Sequence, residues 1–124
     1  MIEIKQGEIW WVFAKDLDIA GHEQQKSRPY IIVSRGLINK LGDNVVGVPR
    51  STKVHKACAH RVKVPVQLMV KNPACTRTLE DSVALTDHIR VLDRSRFEQP
   101  KMGTLALTAV GGLELALAFL FDIR

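Results

Sequence analysis

Short apolar runs separated by polar or turn-forming residues recur along most of the chain. They occupy residues 8–13, 30–33, 45–48, 61–66, 82–86 and 89–92. Most of these runs are rich in valine, isoleucine or aromatic residues, which favour strands. The fourth run alternates between valine and a basic residue or proline, as a half-exposed strand does. Five or six short strands joined by turns predict a small antiparallel barrel.

Two prolines and one long polar segment refine this expectation. Pro49 follows the third run and is expected to end it. Pro65 indicates that the fourth run lies near a sheet edge, because proline cannot donate a ladder hydrogen bond. Residues 14–27 have neither helical nor strand periodicity, so they predict a long loop. Long loops in small domains are often functional.

The C-terminal segment carries a helical pattern instead. Apolar residues recur there at spacings of three and four, at Val110, Leu113, Leu117, Leu120 and Phe121. Thr108 is the expected N-cap. The opposite side is also largely apolar, and Glu114 is the only charged residue in 113–121. The segment is shorter than the roughly 20 residues that span a bilayer. We therefore expect this helix to pack on the barrel and against a second copy in a homodimer, not in a membrane.

The length of 124 residues, with 46% hydrophobic and 25% charged residues, is typical of one globular domain. The first residues do not resemble a secretory signal peptide, so we expect a cytoplasmic protein with reduced cysteines. A zinc site is the alternative for the histidines and cysteines at His55, Cys58, His60 and Cys75. Their spacing lacks the paired C-x-x-C signature, so we expect free thiols and no metal or other cofactor.

The positive charge is concentrated in one segment. Residues 26–63 hold nine basic residues and one acidic residue, Asp43, which gives a net charge of +8. The rest of the chain holds nine basic and twelve acidic residues and has a net charge of −3. A polyanion such as RNA is the natural partner of such a face, although a solvated basic face without a ligand is the alternative.

Four motifs follow one another in a specific order. They are GEIW at 7–10, GHEQ at 21–24 followed by RP at 28–29, VPRST at 48–52, and SVALTDHIRVLD at 82–93. KMGTL at 101–105 then leads into the last helix. In this order and spacing the chain resembles the MazF/PemK family of toxin ribonucleases nearly from end to end.

The resemblance implies a mainly β fold with appended helices, namely an SH3-like antiparallel barrel with a C-terminal helix. It implies a homodimer with RNA-binding grooves near the subunit interface, and a cognate antitoxin, for which we expect an acidic tail. It also implies sequence-selective cleavage of single-stranded RNA without a metal. Attack by the 2′-hydroxyl then leaves a 2′,3′-cyclic phosphate and a 5′-hydroxyl.

The family motifs match Arg28 and a hydroxyl residue after Pro49 as the catalytic pair. Two neighbouring residues, Ser51 and Thr52, are candidates for that hydroxyl. Arginine presents a planar fork of donors to phosphate and keeps its charge, so it suits the stabilisation of a phosphorane better than proton abstraction. Glu23 is the candidate for the proton acceptor. The alternatives are a surface ion pair between Arg28 and Glu23 and a simple turn at the hydroxyls.

The remaining candidates would bind the RNA. They are His22, Gln24, Lys26, Arg50, Lys53, Lys56, Asp87 and His88. His88 stands where the family usually has glutamine. A lone histidine is more often structural than catalytic, so we expect only a binding role for His22 and His88. Trp10, Trp11 and Tyr30 are suited to base stacking, but aromatic residues on strands more often belong to the core.

Two other functions fit the same fold. A toxin of this fold can inhibit DNA gyrase by protein binding, but such a protein does not need a basic hydroxyl loop opposite Arg28. A non-catalytic RNA-binding module would keep the basic face without requiring Arg28 and the Ser51/Thr52 pair to converge.

Overall fold

The computed structural model describes residues 2–14, 27–53 and 61–123. Its strands are β1 (Glu8–Val12), β2 (Arg28–Ile32), β3 (Asn44–Ser51), β4 (Arg61–Val64), β5 (Met69–Lys71), β6 (Ser82–Leu85), β7 (Arg90–Asp93) and β8 (Gly103–Leu105). The α-helices within these ranges are α1 (Gly36–Leu41) and α2 (Leu107–Phe121). Short 3-10 turns lie at Val66–Leu68, Thr86–His88 and Arg94–Arg96.

All strand pairings are antiparallel and form a curled half-barrel. The strand order is β4-β6-β3-β2-β1-β8-β5, and β7 pairs with the first half of β3. β3 is therefore the central strand, with β2 on one side and β7 followed by β6 on the other. The predicted mainly β fold with a C-terminal helix is confirmed.

The two faces of the sheet bury separate apolar clusters. Ile9, Ile31 and Val48 belong to the cluster that α2 covers through Leu113. Trp10 and Tyr30, which precede or follow them on β1 and β2, belong to a second cluster on the opposite face. Successive side chains of a strand point to opposite faces, so one sheet serves both clusters. Each fully buried large apolar side chain contributes roughly 1.5–3 kcal/mol.

The prolines behave differently from each other. The expectation that Pro49 ends its strand is wrong: Pro49 pairs with Tyr30, and β3 continues through Arg50 and Ser51 by pairing with β6. The pairing of β3 with β6 thus outweighs the tendency of a proline to end a strand. Pro65 follows β4, the first strand in the order, so the predicted edge position of that strand is confirmed.

The sequence pattern missed α1, β5 and β8. The two strands have only three residues each, and distant partners hold them in place: β8 lies between β1 and β5. At Gly103 an added Cβ would lie 2.5 Å from the carbonyl oxygen of Val70. Helix α1 is anchored through its buried Asn39, which accepts a hydrogen bond from the Ser34 hydroxyl and donates to its carbonyl.

Helix α2 begins two residues earlier than expected. Its N-cap is Ala106, which makes no side-chain capping bond, so the prediction of Thr108 as the cap is wrong. The helix buries Leu113 and Ala116 but leaves Leu115 74% and Phe119 64% exposed. One apolar side is therefore uncovered within the single chain. The described residues include no helix long and apolar enough to cross a membrane.

Candidate active site

Several predicted site residues lie outside the described parts of the chain. They are His22, Glu23, Gln24, Lys26 and Lys56. The same holds for His55, Cys58 and His60, on which the zinc alternative depended, whereas Cys75 is a buried free cysteine. The described candidates are Arg28, Arg50, Ser51, Thr52, Lys53, Asp87 and His88.

The pairing of β2 with β3 brings Arg28 and Ser51 to one face. The recorded register pairs Tyr30 with Pro49. Arg28 lies two residues before Tyr30, and Ser51 lies two residues after Pro49. Since side chains alternate along a strand, both share the face of Tyr30. Thr52 lies in a bend just after the end of β3. The strand pairing thus places a guanidinium and a hydroxyl on the same side of the sheet.

Arg28 is half-buried and its Nε has no hydrogen-bond partner among the described residues. Burial lowers the pKa of its guanidinium from the ordinary value; Tyr30 opposes this shift and the charge of Arg90 adds to it. The Tyr30 hydroxyl is likewise buried without a partner in the described ranges. A desolvated cation beside unused donors is stabilised when an anion binds.

Arg90 is a functional candidate that sequence reasoning missed. It pairs with Gly47 of β3, two residues before Pro49, so its side chain lies on the face of Arg28 and Tyr30. Its positive charge contributes to the lowered pKa of Arg28, after desolvation by burial. The sequence did contain a signal: Arg90 is a basic residue on the same side of its strand as Leu92, which is fully buried.

The Ser51 hydroxyl already makes one interaction. Its Oγ accepts a hydrogen bond from the backbone N–H of Lys53 at 3.2 Å, as a turn-forming serine does. A hydroxyl has a second lone pair and one proton, so this bond leaves the proton available for another acceptor. Thr52 and Lys53 are exposed where β3 ends. Turn formation and phosphate binding are therefore compatible in Ser51.

Arg50 lies on the opposite face from Arg28 and is only 5% exposed. Its Nε donates to Ser82 Oγ at 2.9 Å and its Nη2 to the Glu80 carbonyl at 3.1 Å. Burial lowers the pKa of Arg50 to about 10, and Glu80 opposes that shift. Arg50 thus has a structural role that the sequence did not reveal.

Asp87 and His88 belong to a polar cluster with Arg61. Arg61 donates from Nε and Nη2 to the two carboxylate oxygens of Asp87, at 2.7 and 2.6 Å. This bidentate contact lowers the pKa of Asp87. His88 Nε2 lies 3.4 Å from Arg61 Nη2. The RNA-binding roles of Asp87 and His88 stay predictions.

A cleft of about 460 Å³ opens on the Arg50 face. Trp11, Arg50, Arg77 and Glu80 line it, together with Ser51 and Thr52 at the end of β3. The Cζ atom of Arg77 lies 3.8 Å from the ring centroid of Trp11. Sequence reasoning did not find this cleft, because residues 76–82 approach β3 only through the β3–β6 pairing.

Comparison with known protein families gives one match over most of the chain. The model described as PemK-like, MazF-like toxin of type II toxin–antitoxin system matches residues 5–121. The chain belongs to this toxin family. The matched range includes both faces of β3, so the Arg28 face and the cleft are parts of the PemK/MazF domain. A search of curated proteins found no significant match.

Solved structures of PemK/MazF proteins share the fold. MazF from Deinococcus radiodurans is 23% identical with a TM-score of 0.71, covering 99% of this chain and 100% of its own. Toxin MazF-mt6 from Mycobacterium tuberculosis is 20% identical with a TM-score of 0.69, covering 94% and 98%. An endoribonuclease in complex with its cognate antitoxin, from a mycobacterial species, is 18% identical with a TM-score of 0.68, covering 98% and 97%.

Proposed function

We propose that this protein is a metal-independent, sequence-selective endoribonuclease toxin that cleaves single-stranded RNA in the cytoplasm. One observation carries the proposal: Arg28, Arg90 and Ser51 belong to one face of the sheet, beside buried donors that lack partners in the described residues. Two guanidiniums and a hydroxyl are suited to the charge of a phosphodiester. Membership of the PemK/MazF family supports this choice of substrate.

The proposed reaction uses the substrate's own nucleophile. The 2′-oxygen forms a bond to phosphorus after losing its proton, and the bond from phosphorus to the 5′-oxygen breaks. The products are a 2′,3′-cyclic phosphate and a 5′-hydroxyl, because the leaving 5′-oxygen takes up a proton from water. Arg28 and Arg90 stabilise the negative phosphorane, and the Ser51 hydroxyl donates a hydrogen bond to a non-bridging oxygen. Glu23 is proposed as the acceptor of the 2′-hydroxyl proton.

The remaining RNA backbone is proposed to follow the basic segment 26–63. Lys26, Arg50, Lys53 and Lys56 contribute from this segment. His22, Gln24, Asp87 and His88 contribute from outside it. The exposure of Lys53 and the polar surface formed by Arg61, Asp87 and His88 support this path. Because Arg50 is buried, its contribution is limited to the wall of the cleft.

A cognate antitoxin is the proposed protein partner. A structurally similar endoribonuclease is known in complex with its antitoxin. The net charge of +8 over residues 26–63 favours an acidic segment that lies over this surface and becomes ordered on binding. Its affinity should fall as salt is raised from 50 to 500 mM. Equal affinity at both salt concentrations would remove the electrostatic basis of this proposal.

A homodimer is proposed from the uncovered side of α2. Leu115 and Phe119 lie one turn apart on the helix, and both are more than half exposed in the single chain. A second copy would cover them. Light scattering at micromolar concentration should give twice the chain mass. A monomer mass would contradict the proposed assembly.

The decisive experiment is the incubation of purified protein with a long defined RNA, with and without EDTA, followed by mapping of the new ends. We expect cleavage at a short sequence motif under both conditions, leaving cyclic phosphate and 5′-hydroxyl ends. Ends with a 5′-phosphate that disappear in EDTA would refute the mechanism. RNA binding without cleavage would favour a binding module, and gyrase inhibition without cleavage would favour the protein-binding alternative.

A further inference from the structure

Two residues that line the cleft on the Arg50 face, Arg50 and Trp11, have buried donors that lack acceptors within the described part of the chain. Nη1 of Arg50 and Nε1 of Trp11 are buried, and neither has a hydrogen-bond partner among the residues that the structure describes. Arg50 as a whole is more than nine-tenths buried. Buried donors without acceptors destabilise a protein, so they require an explanation. A cleft with two such residues in its wall is suited to a ligand rich in acceptor oxygens.

The same cleft has a flat cationic wall. Arg77 stacks on Trp11, and its Nε and Nη2 donate to Glu98 at 2.5 and 3.1 Å, which fixes the guanidinium plane. Bases of single-stranded RNA stack on such guanidinium planes and on aromatic rings. The exposed Glu80 also lines the cleft, and its carboxylate can accept a hydrogen bond from an exocyclic amine of a base.

The cleft adjoins the proposed cleavage site. Ser51 and Thr52 line it where β3 ends, and Ser51 also belongs to the Arg28 face. A strand of RNA whose scissile phosphate lies at Ser51 therefore also passes the mouth of the cleft. One RNA strand can then contact first one face of β3 and then the other.

We propose that the cleft is an RNA subsite for a nucleotide that flanks the scissile phosphate. Acceptor oxygens of this nucleotide face Arg50 and Trp11, and its base stacks against Arg77. The identity of the substrate class rests on the proposed function, whereas the subsite itself rests on the unpartnered donors and the stacked wall. RNA fits better than an acidic peptide, because a peptide carboxylate makes no use of the flat wall.

The two tryptophans of the chain provide a direct test. Nε1 of Trp10 already donates to Glu8 Oε1 at 3.1 Å, whereas Nε1 of Trp11 is unpartnered in the described structure. A 2′-O-methyl RNA oligonucleotide lacks the nucleophile and is not cleaved by internal attack. When it is titrated into the ¹⁵N-labelled full chain, the indole N–H signal of Trp11 should move downfield. The Trp10 signal should change little, and Trp11→Phe assigns the peaks.

Affinity measurements with charge-matched variants complete the test. Arg77→Gln should weaken binding of the same oligonucleotide about tenfold by fluorescence anisotropy. Lys5→Gln removes the same charge from an exposed position outside this cleft and should cost less than about twofold. Equal losses in the two variants would indicate nonspecific electrostatic attraction and overturn the subsite.

Three further outcomes separate the proposals. An unchanged Trp11 signal at saturating RNA overturns the subsite. A shift produced by a polyglutamate peptide but not by RNA also overturns it, in favour of a protein ligand. If the oligonucleotide moves the Trp11 signal while unmodified RNA is never cleaved, the proposed nuclease function fails and the binding subsite stands.

Discussion

Arg28 and Ser51 occupy facing positions on neighbouring strands when the register of β2 and β3 is continued two residues beyond the Tyr30–Pro49 pair. Their side chains therefore lie on one face, whereas Thr52 follows the end of β3. This relationship favours Ser51 as the hydroxyl that contacts the scissile phosphate.

The first prediction separates the two hydroxyls. Ser51→Ala should lower kcat for RNA cleavage on the order of 10²-fold, because one hydrogen bond to the phosphorane is lost. Thr52→Ala should cost less than about tenfold. Cleavage rates of a fluorogenic RNA, with circular dichroism as the folding control, measure both. A larger loss for Thr52→Ala would transfer the role to Thr52.

The second prediction concerns the Arg28 guanidinium. Arg28→Ala should abolish cleavage but weaken RNA binding only moderately. Arg28→Lys keeps the charge and loses the bidentate fork, so its activity should also fall sharply. Single-turnover rates and anisotropy with an uncleavable RNA separate chemistry from binding. Full cleavage by Arg28→Ala would exclude the proposed mechanism.

The third prediction tests Arg90, which only the strand pairing identified. Arg90→Gln should lower the cleavage rate at least about tenfold, because one of two cations beside the phosphate is removed. Lys40→Gln removes an equal charge from an exposed position in α1 and should leave the rate within about twofold. Equal rates for the two variants would show that Arg90 acts only through the general charge of the protein.

The fourth prediction is a pH dependence of stability. Hydrogen bonding to Arg61 lowers the pKa of Asp87 below its ordinary value of 3.8. A carboxyl group with a lowered pKa in the folded state stabilises the fold above its ordinary pKa, and this contribution is lost as the pH falls through the lowered value. Asp87→Asn should reduce the free energy of unfolding by less than about 1 kcal/mol at pH 7, since the pair is partly exposed.

Urea unfolding at pH 7 and at about pH 2.5 checks this pH dependence. The difference between wild type and Asp87→Asn should shrink towards zero at the lower pH. A constant difference would mean that Asp87 stabilises the fold by packing and not by its charge.

The fifth prediction concerns the close approach of β8 and β5. Gly103→Ala should destabilise the protein by about 1–3 kcal/mol, because the added Cβ meets the backbone of Val70, which cannot move aside easily. Gly36→Ala is the control, since an added Cβ there meets no atom within 4 Å. Thermal unfolding of both variants should show a loss only at Gly103. Equal melting temperatures would contradict the close packing of β8.

Much of the local structure follows from the sequence. The alternation in 61–66 gave β4, the apolar run before Phe13 gave β1, and the spacing of Leu113 and Leu117 gave α2. These elements have enough residues for periodicity to show which side is buried. The ordered motifs gave the family, and the family model over 5–121 agrees.

The sequence by itself determined six of the eight described strands, the C-terminal helix, the concentration of charge in 26–63 and the family. The tertiary structure decided what depends on distant partners: that β3 continues past Pro49, that three-residue strands form, that Arg90 shares the face of Arg28, and that Arg50 is buried. The pattern of apolar and polar residues within one strand or helix shows only which face of that element a residue belongs to. The pairing of strands that are distant in sequence determines which side chains share a face of the sheet. Those neighbours in turn determine which buried donors lack an acceptor.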